Sequence, residues 1–160
     1  MLLYHGSNTA VETPKLISTT RGLDFGTGFY TTSNYEQAVR FTKNVLKRTK
    51  IGVRTVSKYE IDENNLLNAC SSLRFDKAGE NWLEFVSQNR SGTYNGEKYD
   101  LITGPVANDA VYNVIDFYLS GAYTKKEALR RLKVRKLFDQ WTFCTNKSIE
   151  YLNFCGTEVI

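Results

Sequence analysis

The 160 residues are 41 % hydrophobic and 24 % charged, enough apolar material for one domain with a sizeable core and without the bias of a disordered, collagen-like or repetitive chain. The formal charge of +4 is mild; three cysteines (Cys70, Cys144, Cys155) are too few and too scattered for a disulfide framework, and a single histidine argues against a zinc site. No run approaches the roughly 18 apolar residues of a membrane span, and Met1 leads straight into strand-like sequence with no room for a signal peptide, so the expectation is a cytoplasmic protein with free thiols, no membrane partner and no structural metal.

Leu2–His5 reads as a short apolar strand ending in His5-Gly6-Ser7. Residues 8–21 have no period and contain Pro14, which makes them loop, with a short strand over Lys15–Ser18. Asp24–Thr32 is the most distinctive stretch: Gly26 and Gly28 run into the aromatic, β-branched Phe29-Tyr30-Thr31-Thr32. Glycines there permit positive φ or close approach to the main chain, and the residues after them have strand character. Ser33 and Glu36 then have the spacing of a capping box at the start of a helix over Tyr35–Lys50, whose apolar positions include Ala38, Val39, Val45 and Leu46. By itself this is a tight turn before an ordinary strand; with its strand end meeting a helix start, it is also a floor for a flat ligand, Tyr30 providing a stacking surface.

Beyond Gly52, Val53–Ile61 alternates as a strand. Asp62–Asn65 reads as a turn, Asn64–Ala69 as extended chain, and Ser71–Lys77 as loop. Ala78–Arg90 is a helix, Ser91–Gly96 a glycine-rich surface loop, and Tyr99–Pro105 a buried strand stopped by Gly104-Pro105. Ala107–Ser120 is helical and ends at Gly121; Thr124 caps a helix over Lys125–Leu132. Asp139–Cys144 is the last strong strand, followed by a small helix at Lys147–Leu152 and an edge strand at Thr157–Ile160. The pattern is mixed α+β in one domain over residues 1–160, too irregular for a doubly wound sheet. Positive charge is clustered, at Lys43, Lys47, Arg48, Lys50 and Arg54 and again across Lys125–Lys136, where Lys125, Lys126, Arg130, Arg131, Lys133, Arg135 and Lys136 crowd together. Such faces are either solvated surface or sites for nucleic acid and phosphates.

Taken in order, Tyr4-His5-Gly6-Ser7, Gly28-Phe29-Tyr30-Thr31-Thr32 with a serine and helix behind it, and Asp139-Gln140-Trp141-Thr142-Phe143 resemble the ADP-ribosyltransferase superfamily, in its diphtheria-toxin and PARP-like branch. Leu23–Thr32, Tyr99–Asp109 and Gln140–Phe143 are similar to a bacterial family within it that carries the Asp-Phe-Gly-x-Gly-Phe-Tyr motif. The resemblance spans roughly Leu3 to Phe154. It implies a split, two-sheet NAD-binding fold with flanking helices, and NAD as co-substrate. It also implies transfer of ADP-ribose to a macromolecular acceptor, protein or nucleic acid.

Residue by residue, His5 would hold a ribose hydroxyl, Gly6 would present its backbone N–H and C=O to the nicotinamide carboxamide, and Tyr30 would stack under the nicotinamide. Ser7, Phe29 and Ser33 would complete the cofactor contacts, and Arg21 would reach the phosphates. Gln140 falls where this branch carries a glutamate, so His5, Tyr30 and Gln140 form the implied catalytic set. An amide keeps the hydrogen-bonding geometry but cannot accept a proton at neutral pH, which disfavours polymer formation and efficient hydrolysis and leaves mono-transfer open. Asp24, Asp109, Glu60 and Glu150 are the acids that could substitute, and Arg90 is a further phosphate candidate. By analogy with the superfamily, a small transferase domain of this kind fits the toxin of a toxin–antitoxin pair. The alternatives are a non-catalytic NAD or ADP-ribose module, favoured by Gln140, and a nucleic-acid-binding protein working through Lys125–Lys136.

Overall fold

A computed structural model describes residues 1–18, 22–107, 109–134 and 137–160. Among these, strands β1 (Leu2–Ser7), β3 (Thr55–Glu60) and β7 (Asn153–Val159) form an antiparallel sheet in the order β1-β3-β7. A second sheet takes the order β2-β6-β5-β4, from β2 (Phe29–Thr31), β6 (Asp139–Phe143), β5 (Leu101–Pro105) and β4 (Ser72–Arg74), with only β4–β5 parallel. The fold is thus α+β with two sheets, and the helices α1 (Tyr35–Thr49), α2 (Glu63–Ala69), α3 (Glu80–Ser91), α4 (Asp109–Leu119), α5 (Lys125–Lys133) and α6 (Asn146–Ile149) lie around them.

Strand alternation divides the core in two. One face of the second sheet turns Phe29, Trp141, Phe143 and Leu101 toward Leu3 and Tyr59 of the first sheet. Its other face, with Ile102, packs under α3, α4 and α5 through Trp82, Val86, Val111, Ile115 and Leu132. Helix α1 lies across the outer face of β1, so close that a Cβ on Gly6 would sit 2.2 Å from the Ala38 carbonyl oxygen. At the glycine turn the two glycines serve different needs. Gly26 takes φ +78°, whereas Gly28 has no room for a Cβ, which would meet the Thr142 side chain at 2.7 Å and the Phe143 carbonyl oxygen at 2.9 Å.

Several expectations shift. Helix α1 is capped by Asn34, which accepts from the Gln37 N–H at 2.8 Å, and not by Ser33. The cap moves because the Ser33 N–H is drawn to Asp139 Oδ1 at 3.2 Å while the Asn34 N–H is held by Thr32 Oγ1 at 3.1 Å. Residues 63–69 are helical rather than extended, because Asp62 accepts from the Asn65 N–H at 3.1 Å and Leu66 is fully buried. The loop expected at Ser71–Lys77 contains β4, paired in parallel with β5. The short strand at Lys15–Ser18 reduces to one bridge, Ile17 with Gly28. The last strand begins at Asn153, four residues earlier than Thr157, because Asn153 and Phe154 also pair with β3, across a register shift at Cys155. Thr124 does cap α5, accepting from the Glu127 N–H at 3.2 Å.

Candidate functional site

Among the described residues, one bridge joins the edges of the two sheets. Tyr4 and Thr32 exchange N–H···O bonds of 2.8 and 3.0 Å, which ties β1 to β2. In an antiparallel ladder the next pair to exchange such bonds would be Gly6 with Tyr30. That rung is missing: the Tyr30 carbonyl instead takes a hydrogen bond from His5 Nδ1 at 2.7 Å. Because Tyr4 bonds toward β2, the Gly6 N–H and C=O also point away from β3, and no hydrogen bond closes either among the described residues. A buried main-chain donor and acceptor therefore sit side by side without partners, a costly arrangement that calls for a ligand or water.

The contact to a carbonyl assigns the His5 tautomer. Nδ1 must carry the proton, so Nε2 of the neutral ring is an acceptor, and it makes no hydrogen bond among the described residues. Burial lowers the pKa of His5 below its ordinary value, against the smaller opposing effect of the Tyr30 carbonyl, so the ring is neutral at pH 7. It stacks on Phe29 with centroids 4.4 Å apart. Phe29 itself is 1 % exposed and belongs to the core between the sheets, edge-on to Tyr59. Phe29 thus backs the imidazole from the core, which corrects its expected place among the cofactor contacts.

Adjacent strand residues face opposite ways, so the Tyr30 ring lies on the far side of β2 from His5. Its hydroxyl donates to the Gly26 carbonyl at 2.6 Å and accepts from the Phe25 N–H at 3.1 Å, which fixes the glycine turn. Burial, and after it the charge of Asp24, push its pKa well above 10, so the phenol stays protonated. Gln140 shares this face: in the β2–β6 register it falls opposite Thr32, in step with Tyr30 opposite Thr142. Nε2 of Gln140 is buried and makes no hydrogen bond among the described residues. The amide lies close enough to the Asp24 carboxylate to hold its pKa down without closing a bond to it.

Asp24 is the residue whose position sequence reasoning underrated. It is 6 % exposed, pairs with Arg90 (Nη1 to Oδ1, 3.2 Å) and accepts from the Ala107 N–H at 3.3 Å. Burial raises its pKa, and Arg90, the Ala107 N–H and the Gln140 amide oppose that shift in descending order. Arg90, expected as a phosphate candidate, pairs with Asp24 instead; its guanidinium also lies 4.4 Å over the Tyr112 ring. A second clamp is Asp139, whose Oδ1 accepts from Thr32 Oγ1 and the Ser33 N–H, and whose Oδ2 accepts from Trp141 Nε1 at 2.8 Å. Asp139 is what holds the start of β6, and so Gln140, against the end of β2.

Beside this group runs an open groove of about 170 Å³ between α1 and the ends of β5 and β6. Gln37, Arg40, Phe41 and Asn44 line one wall; Ala107, Tyr112 and Phe138 line the other. Of the remaining expectations, Ser33 is exposed, Ser7 donates to Asn8 Oδ1 at 3.3 Å, and Glu60 and Glu150 are exposed. Arg21, Arg135, Lys136 and the side chain of Asp109 lie outside the described residues. The structure therefore brings Tyr30, Gln140 and Asp24 together, holds His5 and Gly6 at the gap on the other side of β2, and joins the two groups through the Tyr30 carbonyl.

Two sheets parted at one bridge, with unpartnered polar groups at the parting, define an α+β protein with a candidate binding site at the edge of its inter-sheet core. Residues 1–154 match DUF3990, a protein family of unknown function, and the chain belongs to that family. No curated protein and no solved structure matches it. Among the described residues no helix is long and apolar enough to cross a membrane.

Proposed function

We propose that this chain is an NAD-dependent mono-ADP-ribosyltransferase acting on a macromolecular acceptor. One observation carries the reading: the missing rung opposite Tyr30, which leaves the N–H and C=O of Gly6 open beside a neutral imidazole with a free acceptor nitrogen. A donor and an acceptor held side by side in an extended strand match the C=O and NH₂ of a primary carboxamide, and a Cβ is excluded there by Ala38. His5 Nε2 would accept from a ribose hydroxyl. NAD, when bound, supplies the nicotinamide–ribose bond, whose cleavage develops positive charge on the ribose.

The chain's own groups favour that charge only modestly. Gln140 orients a hydroxyl through its amide but neither neutralises a cation nor takes a proton. Asp24 provides negative charge behind Gln140, reduced by its pairing with Arg90. Tyr30 offers a ring rather than a proton, since its hydroxyl is used twice within the glycine turn. This combination suits transfer of a single ADP-ribose and disfavours chain growth, which needs a base for each incoming hydroxyl.

The test is release of nicotinamide from labelled NAD in the presence of cell lysate. The parent protein is expected to release it and to pass label to protein or nucleic acid, and Gln140→Ala to reduce release at least tenfold. Saturable NAD binding with no release from any lysate would replace this reading with that of a binding module. Absence of NAD binding would remove both.

A further inference from the structure

The two basic clusters of the sequence behave differently in the fold. On α5, Arg130 and Arg131 both bind Glu127, at 2.8 Å each, Arg131 also covers the Tyr123 ring, and Lys125 pairs with Glu80 and Glu84. Those three cations are answered from within, whereas Lys126 and Lys133 make no ion pair to any described residue. Helix α1 carries Arg40, Lys43, Lys47 and Arg48 with no ion pair to any described residue, and Glu36 is the helix's one carboxylate. Residues three and four apart on a helix share a face. Arg40, Lys43, Asn44, Lys47 and Arg48 therefore form one unbroken exposed stripe, and Arg40 and Asn44 are also part of the groove wall.

That groove adds a second feature. Phe41, 39 % exposed, and Tyr112 and Phe138 give it aromatic surface, with the Arg40 guanidinium 5.6 Å from the centre of the Phe138 ring. At about 170 Å³ it is smaller than the roughly 300–1,000 Å³ of a pocket that engulfs a whole ligand, and suits one flat ring. A row of unanswered cations leading into an aromatic slot is complementary to a flexible polyanion that carries flat rings. The slot ends at Ala107, Tyr112 and Phe138, of which Ala107 binds Asp24 and Phe138 lies two residues before Gln140.

We infer that α1 and this groove dock single-stranded nucleic acid, phosphates along Arg40–Arg48 and one base in the slot, and that this strand is the acceptor: a base nitrogen bonds to the ribose carbon as the nicotinamide–ribose bond breaks, nicotinamide leaves, and the nitrogen's proton passes to solvent. Its role as acceptor rests on the transferase reading; the docking does not. Binding is therefore measured without NAD, so that failure to dock and failure to release nicotinamide are separate results.

The experiment is fluorescence anisotropy of the full chain with labelled single-stranded RNA, single-stranded DNA and duplex DNA. Four phosphate contacts at a salt slope of roughly −0.7 each predict that binding weakens about fifty-fold between about 50 and 200 mM salt. The exposed double variant Lys47→Gln/Arg48→Gln is expected to bind at least tenfold more weakly with a shallower slope, whereas Arg130→Gln/Arg131→Gln stays within about twofold. Phe41→Ala is expected to cost about tenfold, the loss of one stacked base. The RNA and DNA arms then decide which sugar is preferred. The inference is overturned by no binding at about 50 mM salt, by an α5 variant as damaging as the α1 variant, by duplex bound as tightly as single strand, or by an acidic polypeptide that displaces the oligonucleotide at equal charge concentration.

Discussion

On either side of β2 sits a ring fastened to the main chain, His5 on one face and Tyr30 on the other, and the two are fastened in opposite senses. The Tyr30 hydroxyl both donates and accepts within the glycine turn, so its polar capacity is used up. His5 uses one nitrogen on the Tyr30 carbonyl and keeps the other open, next to an unpaired Gly6. The difference separates a filled polar position from an open one: the phenol braces the glycine turn, and the imidazole side keeps an acceptor nitrogen and the Gly6 main chain without partners among the described residues.

The largest effect that would break this comparison lies under the tyrosine side. Asp24→Ala leaves Arg90 facing a buried gap and the Ala107 N–H without its acceptor, and is expected to cost about 3–5 kcal/mol. The lower end applies, since Arg90 keeps some exposure and Asp116 stands 3.8 Å away. Urea unfolding checks it; a loss under about 1 kcal/mol would mean that Asp24 does not organise this side.

Next comes Tyr30→Phe, which keeps the ring but strips the bonds to the Gly26 carbonyl and the Phe25 N–H, for an expected loss of about 1–2 kcal/mol. Under the proposed transferase activity, nicotinamide release per folded molecule should stay within about threefold. A stable protein that has lost release would move the hydroxyl from brace to chemistry.

The smallest effect sharpens the histidine side. The folded pKa of His5 lies below its unfolded value near 6.5, so its contribution is complete above that pH and is lost as pH falls toward and through the folded value, by at most about 1.4 kcal/mol per pH unit. Asp24, whose pKa is raised, runs the other way, its cost disappearing as pH falls through its folded value. Subtracting the urea midpoints of His5→Gln from those of the parent between pH 7 and 5 cancels Asp24 and leaves the histidine. A difference that does not change with pH would mean that the ring titrates as freely in the native state as in the unfolded chain.

Much of this architecture was readable from local chemistry. The glycine turn, β2, the helix after it, the Thr124 cap and the last core strand each follow from a few neighbouring residues, and the two-sheet α+β arrangement agrees with what the motifs implied. What escaped were relations that no neighbourhood contains. Asp24 and Arg90 are 66 residues apart, so their pairing leaves no trace in either segment. Strand β4 has only three residues and exists because β5 lies alongside it. The change of cap from Ser33 to Asn34 depends on Asp139, 106 residues from Ser33. Alternation along β2 does carry a signal: Phe29 and Tyr30 cannot both face one ligand, and Phe29 faces the core.

The Tyr4–Thr32 bridge also joins the two sheets edge to edge, in the strand order β7-β3-β1-β2-β6-β5-β4. By connectivity the molecule is one seven-stranded ribbon with a single stalled zipper tooth, and the stall is an imidazole wedged where an amide would otherwise close. A histidine in this place therefore acts as a doorstop. With a side chain too short to reach the carbonyl, the Gly6–Tyr30 rung is free to close, and the donor and acceptor at the gap are used up.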